Sequence, residues 1–199
     1  MSGEIEKGSG GRVGMWLFIS TEILLFGGLF LLYSMYRFKN PVDFHAGSRE
    51  LSRFFGTLNT AFLITSSFTV VLAVHWLRHN RPEKAGLFIL ATIGFAFAFL
   101  VVKAIEWSAK FEHGLYPSAH VLLSRPRGEV LYFGLYFMMT GLHALHVIAG
   151  AGVLSVVYAW VKRGRVSKDK PILLENAALF WHLVDIIWIF LFPLFYLIT

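Results

Sequence analysis

Five long apolar runs, separated by short polar segments, dominate the pattern of hydrophobic and polar positions. They cover residues 14–36, 54–77, 85–107, 130–161 and 176–198. Each exceeds the length of about 18 residues at which an apolar run indicates a membrane-spanning helix. The segments between them are too short to form a separate soluble domain. The pattern therefore predicts an all-α, polytopic membrane protein in which residues 1–199 form one bundle of five transmembrane helices.

Composition agrees with this prediction, and the distribution of charge also predicts how the chain is oriented in the membrane. Charged residues make up only 15% of the chain, against about 25% in soluble proteins. The net charge of +6 does not indicate a nucleic-acid partner, because the basic residues lie almost entirely in loops between spans. Ten of the 18 Lys and Arg residues fall on the side of the N-terminus and seven on the opposite side. Basic loops stay in the cytoplasm, so we expect a cytoplasmic N-terminus and an outside C-terminus.

Five ionisable side chains lie deep inside the predicted spans. Glu22 follows the start of the first span by about two helical turns. His143 and His146 share one face of the fourth span, as His182 and Asp185 do in the fifth, because residues three apart lie on the same side of a helix. Such groups are costly in lipid and face protein. We expect them to meet in one buried polar cluster, with Asp185 fixing the tautomer of a histidine.

Two further pairs of charged residues lie near the ends of spans. Lys103 and Glu106 are three residues apart near the outer end of the third span, a spacing that permits an ion pair. The long Lys103 side chain can instead snorkel to the membrane surface. Lys162 and Arg163 follow the fourth span on the cytoplasmic side and are candidates for contact with lipid headgroups.

A row of small residues runs along the second span at four-residue spacing. Small side chains let two helices approach closely in lipid, so we expect this row to form a helix–helix seam. Its members are Thr57, Ala61, Thr65, Thr69 and Ala73.

The residues also limit the chemistry that this chain can support. It has no cysteine, which excludes thiolate-ligated haem, iron–sulfur clusters and a thiolate-bridged copper centre. Histidines from two spans suit a b-type haem, and with the carboxylates they suit a metal, but a polar cluster without metal fits the spacing equally well. We expect no catalytic, cofactor-binding or metal-binding residue. Two other classes remain open, a b-type membrane cytochrome and a small transporter.

Several short segments together carry a resemblance to a known family. The chain resembles subunit III of the haem–copper respiratory oxidases, in its five-helix bacterial form, over nearly its full length. The matching segments are GMWLFISTEILLF (14–26), LNT (58–60), TSS (65–67), AIEW (104–107), TGLHALHVIAG (140–150) and FWHLVDIIW (180–188). Glu22 matches the family's buried carboxylate, and the His and Asp residues of the predicted cluster match its polar motifs.

The resemblance implies an accessory subunit of an oxygen-reducing, proton-pumping complex, without a redox centre and not itself catalytic. Haem and copper are then expected in partner subunits. Subunit I is the expected main contact, with subunit II, membrane phospholipids and a larger respiratory supercomplex as further partners. The implied location is the bacterial plasma (inner) membrane. Many relatives have seven spans, of which the first two are missing here. A cytochrome c oxidase is favoured, while a quinol oxidase and the related accessory protein of nitric oxide reductases remain alternatives.

Overall fold

The computed structural model describes residues 2–197, without the side chains of residues 2–10 and Arg12. Within this range the chain forms helices joined by short connections, and no strand occurs. The all-α prediction is therefore confirmed. The helices are α1 (Ser2–Lys39), α2 (Pro41–Arg49), α3 (Arg53–Arg78), α4 (Pro82–Glu112), α5 (His120–Leu123), α6 (Arg127–Lys162) and α7 (Ile172–Tyr196).

Five of these helices are long and apolar enough to cross a membrane, as the sequence predicts. They are α3, α4, α6, α7 and the part of α1 over Val13–Lys39. The observed helices extend the predicted spans by one to five residues at most ends, because each continues into polar residues at its surface. The last helix instead ends at Tyr196, two residues before the predicted end of the fifth span. Residue 198, the predicted end, lies outside the described residues. Helix α6 has 36 residues, or about 54 Å, and exceeds the hydrocarbon thickness of about 30 Å.

Helix α7 lies at the centre of the bundle, in contact with α1, α2, α3 and α6. In its most apolar stretch 56% of the residues are buried, against 11% in α1. Trp181 and Trp188 are fully buried, and each indole N–H donates to a hydroxyl of α3, Trp181 to Ser66 at 2.9 Å and Trp188 to Thr60 at 3.0 Å. These bonds hold the segment FWHLVDIIW (180–188) of α7 against α3.

The segment over residues 40–53 contains Pro41, Asp43 and Gly47, which by themselves suit a surface loop or short turn, but the structure forms helix α2 there. Pro41 occupies the first helical position and Asp43 lies in the first turn, and both residues favour a helix start. Phe44 is fully buried and packs edge-on against Tyr132, with ring centroids 5.5 Å apart. Gly47 is required at its position, since an added Cβ lies 2.5 Å from the Tyr132 ring. The segment is therefore a packed helix at the end of the bundle.

Charged residues bond the connections after α2 and before α6 to this end of the bundle. Arg125 bonds to Glu129 at 3.0 Å and to Glu50 at 3.3 Å, and the Lys110 ammonium donates to the backbone carbonyl of Glu50. The hydrogen bond from Arg125 to Glu129 raises the pKa of the guanidinium above its ordinary value, so Arg125 stays charged. Because these side chains are partly exposed, each ion pair contributes about 1 kcal/mol or less.

Only two of the five small residues in the row on α3 are buried inside the bundle. Thr69 and Ala73 are buried, and the Thr69 hydroxyl lies 2.8 Å from the hydroxyl of Thr92 on α4. Thr57, Ala61 and Thr65 are exposed on the outside of the bundle. These three residues therefore form no seam with the described helices of this chain, because they lie on the side of α3 that faces away from the bundle.

Candidate functional site

The first polar contact inside the bundle joins α1 to α6. Glu22 Oε2 and His146 Nε2 are 2.9 Å apart, and each side chain is about 15% exposed. His146 Nδ1 lies 2.8 Å from the carbonyl of Leu142, which can only accept, so Nδ1 carries a proton. The Glu22–His146 bond is then either a protonated carboxyl donating to a neutral imidazole or an imidazolium donating to a carboxylate. In both forms the pair holds one proton between the two side chains.

A second polar contact lies on the outside of the helix bundle, between α3 and α7. His182 Nδ1 is 2.8 Å from the Ser67 hydroxyl and 3.9 Å from Asp185 Oδ2, and the second distance is too long for a hydrogen bond. The side chain of His182 is 32% exposed, whereas that of Asp185 is 5% exposed. Ser67, and not Asp185, therefore orients the His182 ring, which corrects the tautomer role expected for Asp185.

His143 takes part in neither contact. It is fully buried, and neither ring nitrogen has a hydrogen-bond partner among the described residues. Its ring packs between Phe99 and Trp188, with centroid distances of 5.5 and 5.2 Å. The five residues expected in one cluster therefore do not form one: Glu22 bonds to His146 and His182 bonds to Ser67, whereas His143 and Asp185 have no hydrogen-bond partner among the described residues.

The arrangement has a direct consequence for metal binding. No group of three or more His, Asp or Glu side chains among the described residues has an arrangement that could hold a metal ion. Two-residue contacts such as Glu22–His146 supply too few ligands for a structural metal site, which takes four.

A third polar group, toward the C-terminal end of α4, is the most completely buried of the three. The ion pair between Lys103 and Glu106 is present at 3.0 Å, and the two side chains are 3% and 2% exposed. The ammonium also donates to the hydroxyls of Tyr136 at 3.0 Å and Tyr196 at 2.7 Å. Tyr196 in turn donates to Glu106, with both carboxylate oxygens at 2.8 Å. Lys103 does not snorkel, because its charge is satisfied inside the protein.

Comparison with known proteins places these contacts in a family. A family model described as "Cytochrome c oxidase subunit III" matches residues 4–199. The chain belongs to the cytochrome c oxidase subunit III family. The resemblance expected from the sequence segments is therefore confirmed, and every intramembrane contact described above lies within the matched region.

Relatives of this subunit III come from several kinds of oxidase. The chain is 32% identical over 199 residues to a "Heme-copper oxidase subunit I+III" of Aeropyrum pernix, covering 94% of the chain but only 22% of that relative. It is 32% identical to "Cytochrome c oxidase subunit 3" of Synechocystis sp., covering 93% of the chain and 74% of the relative. A "Probable quinol oxidase subunit 3" of Staphylococcus saprophyticus is 24% identical and is covered over 90% of its length.

The sequence did not predict three residues that hydrogen-bond to these polar side chains, namely Ser67, Tyr136 and Tyr196. Ser67 lies in the TSS segment, but only the packing of α3 on α7 shows that it bonds to His182. Tyr136 and Tyr196 are 33 and 93 residues from Lys103 in sequence. Aromatic residues are common near span ends, so neither tyrosine carries a local signal of its role.

The end of the bundle at the C-terminus of α6 holds the basic residues expected to contact lipid. Lys162 ends α6 and lies 5.7 Å over the ring of Tyr158, and Arg163 follows as an exposed cap residue. Both Lys162 and Tyr158 line an open cavity of about 560 Å³ between α4 and α6, together with Gly86. An exposed cation beside an apolar groove has the features that suit a phospholipid, with its phosphate at the surface and a chain in the groove.

Proposed function

We propose that this chain, over its full length as one domain, is the accessory subunit III of a haem–copper terminal oxidase, with a cytochrome c oxidase favoured. The observation that carries the proposal is the family match over residues 4–199. In this role the chain contributes no redox centre, and oxygen chemistry and proton pumping take place in partner subunits that hold the haem and copper. The chain stabilises the catalytic subunit and its bound phospholipids.

Subunit I is the proposed main partner. Support comes from the Aeropyrum pernix relative, whose name describes subunits I and III in one polypeptide, since proteins that are fused in one organism often contact each other in another. Subunit II and membrane phospholipids, near Lys162 and Arg163, are further proposed partners. The proposed location is a bacterial inner membrane with the N-terminus in the cytoplasm, which follows from the excess of Lys and Arg on that side.

A quinol oxidase is the second candidate. The Staphylococcus saprophyticus relative favours it, because the chain covers 90% of that protein's length. The two candidates differ in the electron donor, which binds to other subunits. Identifying the partner that copurifies decides between them, since a copper-binding partner with cysteine ligands indicates cytochrome c as donor.

Purification of the tagged chain in mild detergent tests the proposal. We expect a haem-bearing subunit to copurify, with a Soret band that disappears when that subunit is removed. A chain that is isolated alone, or that retains haem by itself, contradicts the proposal. The second result would support a b-type cytochrome instead.

Substitution of Glu22 tests the non-catalytic role. Glutamine retains a side-chain amide that can donate to His146 Nε2, so Glu22→Gln should leave the initial rate of oxygen reduction within about twofold. The yield of assembled complex, or activity over many turnovers, should fall because the proton shared with His146 is lost. Glu112→Gln, at an exposed position near the end of α4, is the matched control. Complete loss of turnover in a fully assembled Glu22→Gln complex would assign Glu22 a direct catalytic role.

A further inference from the structure

The outer face formed by α3 and α7 contains a cavity at mid-membrane. The cavity measures about 380 Å³, and Ser67, His182 and Asp185 line it among apolar side chains. A second cavity of about 530 Å³ adjoins the first, since Val71 and His182 line both of them. The second cavity extends along α3 to Arg78, at the end of the helix. The α3–α7 face, which we define by these two cavities, is thus grooved and carries polar groups.

Asp185 lacks a hydrogen-bond partner in this cavity. Its side chain is 5% exposed, and neither carboxyl oxygen accepts a hydrogen bond among the described residues. The Ser67 hydroxyl is near enough to Asp185 to influence it, but its short contact, at 2.8 Å, is with His182 Nδ1. A buried polar group without a partner costs about 1–3 kcal/mol, and more when it is charged.

The depth of Asp185 determines what can satisfy it. It lies 13 residues after Ile172 and 11 before Tyr196 in α7, hence about 20 and 16 Å from the two helix ends at 1.5 Å per residue. Lipid at this depth consists of acyl chains, which carry no hydrogen-bond donor. A phospholipid that fills the cavity therefore leaves the carboxyl group unsatisfied, whereas a protein side chain can reach it.

The rest of the cavity lining is apolar and exposed. Ile64, Phe68, Ile186 and Ile189 line the cavity beside Asp185 and are between 48% and 63% exposed. Helix–helix association in lipid depends on close packing of side chains together with hydrogen bonds between helices. The α3–α7 face therefore offers apolar contacts around one polar group.

We propose that the α3–α7 face is the docking surface for a transmembrane helix of the catalytic subunit, and that a hydroxyl or amide side chain of this helix enters the cavity and bonds to Asp185. A hydroxyl or amide both donates and accepts, so it satisfies the carboxyl group in either protonation state. The helix closes the groove over His182 and packs against the exposed apolar side chains around the cavity. The identity of the partner rests on the function proposed above.

Site-specific photo-crosslinking in the purified complex tests this docking. A benzophenone amino acid replaces Ile186 or Ile189, which are about half exposed beside the cavity. Matched controls carry it at Phe97 on α4 or Leu145 on α6, at 69% and 63% exposure. We expect crosslinks to the haem-bearing subunit from both α7 positions and crosslinks to lipid from the controls.

Other outcomes overturn the proposal in distinguishable ways. If the haem-bearing subunit copurifies but crosslinks from Phe97 or Leu145 rather than from α7, the docking surface is wrong and the proposed function stands. Crosslinks from α7 to lipid alone also refute the docking surface. If no haem-bearing subunit copurifies, the proposed function fails, and the proposed docking fails with it.

A pair of substitutions tests the hydrogen bond itself. Asp185→Asn retains donor and acceptor groups and should keep the ratio of bound to free partner within about threefold. Asp185→Leu should lower this ratio about tenfold during detergent titration, because the partner's polar group is left unpaired. Equal ratios for the two variants would refute a bond to Asp185. A lower amount of Asp185→Leu protein in the membrane identifies a folding defect. In that case the crosslinking experiment, in which Asp185 is unchanged, decides whether the α3–α7 face is the docking surface.

Discussion

Removing the charges of Lys103 and Glu106, singly and together, is the strongest test of how much this buried ion pair stabilises the bundle. The perturbation consists of Lys103→Met, Glu106→Gln and the double variant. Each single change leaves the other ionisable group inside a site where both side chains are at most 3% exposed. The double variant leaves neither charge, so the three proteins measure the coupling between the two groups.

The structure sets the expected magnitudes. Lys103→Met removes three donated bonds, those to Glu106, Tyr136 and Tyr196. Breaking a buried ion pair by removing one partner costs about 3–5 kcal/mol in the free energy of unfolding, and Glu106→Gln falls in the same range. The double variant should also lose about 3–5 kcal/mol, because no uncompensated charge remains. The coupling energy, which is the sum of the two single losses minus the loss of the double variant, is then about 3–5 kcal/mol.

Unfolding of the purified chain by SDS in mixed micelles, followed by far-UV circular dichroism, measures these free energies. The matched control is the surface ion pair of Arg125 with Glu50, whose side chains are 33% and 39% exposed. Its coupling should not exceed about 1 kcal/mol. If the effects of Lys103→Met and Glu106→Gln add to within about 0.5 kcal/mol, the two groups are not coupled, and the argument from burial is refuted.

Further predictions concern the contact of α6 and α3 with α7 and use the same unfolding assay. Gly150→Ala should destabilise the protein by about 1–3 kcal/mol, because the added Cβ lies 2.9 Å from the Trp181 ring, whereas Gly152→Ala meets nothing within 4 Å and should be neutral or stabilising. Equal effects would contradict the observed packing. Ser66→Ala should cost about 1–3 kcal/mol, since the indole N–H of Trp181 loses its acceptor, while Ser155→Ala, exposed on α6, should change the stability by less than about 0.5 kcal/mol.

The polar contacts show where sequence reasoning succeeds and where it stops. The Lys103–Glu106 pair was predictable because three-residue spacing on one helix brings the groups together whatever surrounds them. The partner of His146 was not, because Glu22 is 124 residues away in sequence and several faces of α1 could have turned toward α6. The expectation of one cluster assumed that similar depth implies proximity. Side chains at a similar depth can still face different helices, since Glu22 on α1 bonds to α6 whereas His182 on α7 bonds to α3.

The sequence by itself determined the number of spans, the all-α class and the family. Membrane insertion depends on the summed hydrophobicity of about 20 consecutive residues, and both that sum and the family segments are local properties of the chain. Only the tertiary structure decided that α7 is central, that Ser67 rather than Asp185 bonds to His182, and that α2 is a packed helix. These outcomes depend on which helix faces meet, and the apolar faces of membrane helices do not specify their neighbours, because lipid is as apolar as they are.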